Sequence, residues 1–257
     1  MFISKIQLSK EFIVVGEVGE DVLARLVLEV SGDLDYYYGI SRGLVDCFDV
    51  PESPLGYPGV NSVASCVYLK TRYGVCCIAH VRLYDVNALA LHSLAHACEV
   101  FGIDGLVLTM GDRPRVGTVV YDLCTEKAIE LLRKMSYRVK LGALISLRYS
   151  LEDILSRLSG TMADFFFVLR LGWETMDNYV GVYREARRLG KELYPYVLVA
   201  TESNRKILSR INQPYILASE LPDYLRELHG IVDGIVLSIP CERNINTILR
   251  IAREYIK

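Results

Sequence analysis

Residues 75–109 read VCCIAHVRLYDVNALALHSLAHACEVFGIDGLVLT, and this stretch decides the fold. Val75–Val81 is an apolar run broken only by His80, and Gly105–Thr109 is a second run. A segment apolar on both faces of its pleat reads as a buried parallel strand. Between the two, Val86–Phe101 places Leu89, Leu91, Leu94, Ala95 and Cys98 near one helical face. Strand, helix and strand in this order form a βαβ unit. The same rhythm continues outward. Phe12–Glu17 (FIVVGE) and Leu44–Val50 precede it, and Val139–Leu147, Asp164–Arg170, Pro195–Ala200 and Val232–Ser238 follow. Thr125–Met135, with Thr125 as N-cap, Met176–Leu189 and Asn244–Ile256 have helical periodicity. Eight strands interleaved with helices in 257 residues predict an α/β chain forming one (β/α)8 barrel over residues 1–257. A doubly wound open sheet is the alternative.

Composition narrows the function. Hydrophobic residues make up 51% of the chain, enough for a large core, and the formal charge is −2 without basic or acidic blocks. Nucleic acid is therefore not an expected partner. The longest stretch without a formal charge, Ser53–Leu69, contains Pro54, Gly56, Pro58 and Gly59, so no membrane span is expected. The opening MFISKIQLSKEF has no apolar core of a signal peptide. Seven cysteines, an odd number without CxxC and mostly in apolar runs, predict buried free thiols in a reducing cytoplasm rather than disulfides. His92 and His96 lie four apart without a third ligand in suitable spacing, so no metal is expected.

In a (β/α)8 barrel the active site is built at the C-terminal strand ends. Residues falling there are Glu17, Asp49, Glu52, His80, Arg82, Asp85, the run Gly111-Asp112-Arg113, Arg148, Arg170, Thr201, Glu202 and Glu242. Glu17 and His80 border or interrupt apolar strands, where an ionisable group is costly unless paired or functional. Glu17 is either a buried general acid or the first solvated residue after its strand. Asp112, in VLTMGDRP, either stabilises a developing cation between low-dielectric walls or caps a Gly-Asp turn. Asp85 is either a site residue or the N-cap of the following helix. GxGxxG, P-loop and GxSxG motifs are absent.

Three segments carry a resemblance. VDCFDVPESPLG (45–56), IAHVRLYDVNALALHS (78–93) and GIDGLVLTMGDRP (102–114) resemble, in order and spacing, motifs of the methylenetetrahydrofolate reductase family, over roughly Val45 to Leu132. The resemblance implies a barrel that binds FAD and reduces a methylene-tetrahydropterin with NADH or NADPH as hydride donor. It implies Asp112 beside the flavin and Glu17 as proton donor to the pterin. His80, Arg82, Asp85, Asn87 and Gly111 would line the flavin pocket, with Arg148 and Tyr149 replacing an absent strand-five motif. Asp49, Glu52 and Arg170 would meet the pterin. The family's strand-six glutamine is missing, since ADFFFVLR offers Val168 and Leu169. A flavin-free reductase, or a non-catalytic pterin-binding subunit that works with a partner chain or as a homo-oligomer, is the alternative.

Overall fold

A computed structural model describes residues 25–30, 32–211 and 213–256. Its parallel strands are β1 (Arg25–Glu29), β2 (Cys47–Val50), β3 (Cys76–Arg82), β4 (Gly105–Thr109), β5 (Lys140–Ser146), β6 (Phe165–Leu169), β7 (Glu192–Ala200), β8 (Ile216–Leu217) and β9 (Gly234–Ser238). Between and after them run α1 (Leu34–Ser41), α2 (Ser62–Tyr73), α3 (Ala88–Phe101), α4 (Thr125–Lys134), α5 (Leu151–Gly160), α6 (Met176–Arg188), α7 (Arg205–Ile211), α8 (Leu221–Leu228) and α9 (Asn246–Tyr255). Strands β1 to β7 pair in chain order, β7 pairs with β9, and β9 returns to β1. The result is a closed eight-stranded (β/α)8 barrel, which removes the open-sheet alternative. β8 is a two-residue addition on the C-terminal end of β7, through Val199↔Ile216 and Ala200↔Leu217.

Seven of the eight expected strands form. The expected Phe12–Glu17 strand lies outside the described residues. The ring closes on Arg25–Glu29, a segment missing from the expected set: Arg25 and Glu29 bracket only three apolar residues, too short a run to stand out. At α4 the N-cap is Cys124 rather than Thr125, which is buried as the first helical residue. No helix among the described residues is long and apolar enough to cross a membrane.

Alternate residues of each strand point into the barrel or out to the helices. Val27, Cys47, Ile78, Val107, Phe165, Phe167 and Val236 fill the interior. Phe165 is the bulkiest of these toward the N-terminal side, and Gly142 on β5 makes room for it: a Cβ there would stand 2.4 Å from the ring. The outward residues and the apolar helix faces form the larger, second core. Cys47 and Cys76 correct the expectation of free thiols throughout. Register pairs them across β2 and β3 with Cα atoms 4.5 Å apart, and they form a disulfide. That separation suits a disulfide, but a sequence distance of 29 residues does not announce it. Cys66, Cys77, Cys98, Cys124 and Cys241 remain free.

Candidate active site at the barrel mouth

Inward residues at the C-terminal strand ends bring five polar groups together: Glu29 from β1, Asp49 from β2, His80 from β3, Tyr196 from β7 and Ser238 from β9. Asp49 is fully buried and is the hub. Its Oδ1 lies 2.8 Å from His80 Nε2, and its Oδ2 accepts a 2.7 Å hydrogen bond from the Tyr196 hydroxyl. Two good partners offset the cost of burying that carboxylate. Behind His80, the Ser62 hydroxyl donates to its backbone carbonyl at 2.5 Å, tying the start of α2 to β3. Phe167 lies beneath the imidazole, ring centres 5.8 Å apart.

Glu29 is partly exposed, with Ser238 near enough to its carboxyl to pull the pKa down. Desolvation first, then the nearby Asp49 carboxylate, push its pKa from 4.5 up to about 7, against the opposing pull of Ser238 and His80. Burial alone would lower the His80 pKa; the Asp49 charge and hydrogen bond, helped by Glu29 and Glu52, outweigh it and hold the pKa above 6.5. The Tyr196 hydroxyl is pushed well up by burial and by Asp49 and Glu29. The cluster therefore holds a carboxyl pushed up to about 7 beside an imidazole held above its ordinary pKa.

A second feature is a cavity of about 870 Å³ over the ends of β4, β5 and β6, lined by Thr109, Asp112, Ser146, Arg148, Arg170 and Gln213 among others. Arg148 is exposed and lies over the Tyr149 ring at 4.6 Å. Arg170, the residue after β6, has a left-handed backbone with φ of 68°.

The remaining predicted residues form a bracket. Buried Arg82 donates to the carbonyls of Ser53 and Asp112 and pairs with Asp85 at 2.9 Å, joining the loop after β2 to the loop after β4. Gly111 leaves space for it, since a Cβ would meet the Arg82 side chain at 2.9 Å. Glu52 accepts from the Ser62 amide at 2.7 Å and from Asn61 at 3.0 Å, at the start of α2. Asn87, not Asp85, is the N-cap of α3, accepting from the Ala90 amide at 3.0 Å. Gly56, with φ of 79°, lets the two loops touch: its carbonyl accepts from the Arg115 amide at 2.9 Å. Asp112 is exposed, so it does not stand between low-dielectric walls. Thr201 donates to Glu242 at 2.9 Å, joining the loop after β7 to the loop after β9. His92 and His96 both flank Tyr137, ring centres 6.3 and 6.4 Å away. Glu17 lies outside the described residues.

Three residues of the cluster were missing from the predicted set. Glu29 carries the same signal that singled out His80, an ionisable group against an apolar run (RLVLEV), and was legible in principle. Tyr196 and Ser238 read as ordinary strand residues and had no signal.

Neither a family model nor a curated protein sequence matches the chain. Solved structures do. A mutant tryptophan synthase α-subunit from the hyperthermophile Pyrococcus furiosus is similar at a TM-score of 0.58 and 10% identity, covering 90% of this chain and 97% of that one. For 3-hexulose-6-phosphate synthase from Salmonella typhimurium the TM-score is 0.58 at 14% identity, covering 90% and 98%. For 3-keto-L-gulonate-6-phosphate decarboxylase from Vibrio cholerae it is 0.58 at 10% identity, covering 91% and 97%. Such low identity establishes the fold alone. These barrels are of a different kind from methylenetetrahydrofolate reductase, and they overturn that resemblance together with the flavin-dependent reductase it implied. The physical reason lies in the bracket. The three matching segments hold one another and the starts of α2 and α3 in place, a structural task that explains Glu52, Arg82, Asp85, Asn87 and Gly111.

Proposed function

We propose that this chain is an acid–base enzyme of the lyase or decarboxylase kind, moving a proton at a carbon of a small substrate held in the barrel mouth. The observation that carries the reading is the Glu29 carboxyl, desolvated at the end of β1 beside the buried Asp49–His80 pair. A carboxyl titrating near pH 7 exists in both protonation states at working pH, so it can take a proton from carbon and return it. Asp49, pinned by His80 and Tyr196, stands close by and holds Glu29 basic. His80, whose pKa Asp49 and Glu29 hold above its ordinary value, stands near the place where an enolate would develop and favours the negative charge there. The names of the similar barrels, two synthases and a decarboxylase, support the reaction class. A cytoplasmic location is part of the proposal, supported by the five free thiols; disulfides such as Cys47–Cys76 do occur inside cells of heat-loving organisms.

The test is hydrogen–deuterium exchange at carbon, followed by proton NMR in heavy water. The panel is ketoses and 3-keto acids, each with and without a phosphate group. The parent should exchange at least one member next to its carbonyl and Glu29→Gln should not. No exchange across the panel, or equal exchange by the variant, would refute the reading.

A further inference from the structure

The cavity over β4, β5 and β6 is cationic in a way the fold does not require. Arg148 and Arg170 rise from neighbouring strands, where Ser146 on β5 is in register with Leu169 on β6. Among the described residues neither guanidinium has a carboxylate partner; Arg148 donates only to the Tyr149 hydroxyl, at 2.5 Å. The other charges of the lining are already engaged or exposed. Arg157 pairs with Glu126 at 2.7 Å and donates to the Leu144 carbonyl at 3.1 Å. Asp153 accepts from the Ser150 hydroxyl at 2.6 Å within the first turn of α5; Asp112 is exposed as Arg148 is, and the lining as a whole sets Arg148, Arg157 and Arg170 against Asp112 and Asp153. Two arginines are thus left facing one space, with a floor built by Leu144, Leu169 and Ile211.

Two further features of this space stand apart from its charge. The side-chain oxygen of Gln213, in the lining, is buried and has no hydrogen-bond partner among the described residues. A buried amide oxygen without a donor is costly, which a ligand hydroxyl would repair. Arg170 holds φ of 68°, a left-handed conformation unfavourable for a long side chain and found at ligand sites where the surroundings enforce it.

We propose that the cavity binds a phosphate monoester, with Arg148 and Arg170 on the phosphate oxygens, the apolar floor under the carbon skeleton, and Gln213 accepting from a hydroxyl. Two unpaired guanidiniums match a dianion, and each presents forked donors suited to tetrahedral oxyanions. A volume of about 870 Å³ is that of a small-molecule pocket rather than of a lone ion site. As the substrate site of the acid–base reaction this rests on the function proposed above; as a phosphate-ester site it stands by itself.

The test is calorimetric titration of the purified chain with ethyl phosphate, inorganic phosphate and malonate. Saturable binding of ethyl phosphate, tighter than malonate, is expected. Arg148→Gln and Arg170→Gln should each weaken it about tenfold or more, the loss typical of a charge-assisted contact. Arg170→Gly is the second variant: it relieves the left-handed strain, so it should fold at least as well as the parent and still lose the binding. Glu29→Gln should bind ethyl phosphate like the parent. No binding by the parent, tighter malonate, or variants of Arg148 and Arg170 that bind unchanged would overturn the proposal. Arginine-dependent binding in a chain that fails every exchange assay would sink the acid–base reading and leave the phosphate site intact.

Discussion

Replacing Glu29 with glutamine should make the protein more stable above neutral pH while abolishing its chemistry. The Glu29 pKa is 4.5 in the unfolded chain and about 7 in the folded one. Below pH 4.5 the group is protonated in both states and adds no pH-dependent term. Between the two values the unfolded chain releases the proton and the folded one keeps it, so stability falls as pH rises, reaching its full loss above pH 7. At about 1.4 kcal/mol per pH unit the whole cost is about 3 kcal/mol, of which about 2.5 kcal/mol develops between pH 5 and pH 8. Partial exposure of the side chain makes this an upper figure. Glutamine is neutral throughout and keeps a hydrogen-bonding group for Ser238. His80 also loses its contribution as pH rises through its raised pKa. Most of that pull comes from Asp49, which the variant keeps, and the smaller share from Glu29 leaves with the carboxylate, so the difference between the two proteins reports Glu29 together with its coupling to His80. The assay is urea unfolding at 25 °C at several pH values from 5 to 8, with Trp173 fluorescence and circular dichroism as probes. The variant should gain on the parent by up to about 2.5 kcal/mol across that range, and its exchange rate should drop by about a hundredfold or more. A difference that stays flat with pH would refute the desolvated-carboxyl argument, whatever the activity does.

Three further outcomes follow from the same structure. Tyr196→Phe removes the 2.7 Å hydrogen bond to Asp49 and leaves a buried acceptor short of a donor, which should cost about 1–3 kcal/mol in urea unfolding; an unchanged midpoint would mean water takes over the role. Gly56→Ala would drive a Cβ to 2.2 Å from the Arg113 carbonyl oxygen at a φ of 79°, so thermal unfolding should show at least about 2 kcal/mol of loss; a neutral effect would show that the two mouth loops are not locked together. Reducing Cys47–Cys76, which closes a loop between residues 29 apart, should lower stability by about 3.5 kcal/mol on chain-entropy grounds, and equal unfolding midpoints with and without reductant would contradict that.

The barrel was largely legible in the residues. Parallel strands buried on both faces must be continuous apolar runs, and seven such runs lie where the strands form. Asn246–Tyr255 and Ala88–Phe101 follow helical periodicity for the same local reason. His80 was legible too, because an ionisable group inside VCCIAHV has to be paired or functional. The helix caps missed by one or two residues, at Cys124 and Asn87, were local errors, whereas the larger failures depended on partners distant in sequence. β1 is recognisable only through its pairing with β2 and β9, and β8 only through the end of β7. Cys47 meets Cys76, Asp49 meets Tyr196, and Arg82 spans Ser53 and Asp112 because strand register and barrel closure set which inward residues share a layer. Motifs record residue types, so the three segments that resemble a reductase carry no sign in sequence of their task as a bracket between loops, which shows only in three dimensions. Local periodicity determined the fold class, whereas the desolvation of Glu29 and the unpaired arginines of the mouth are products of tertiary burial, which no single segment encodes.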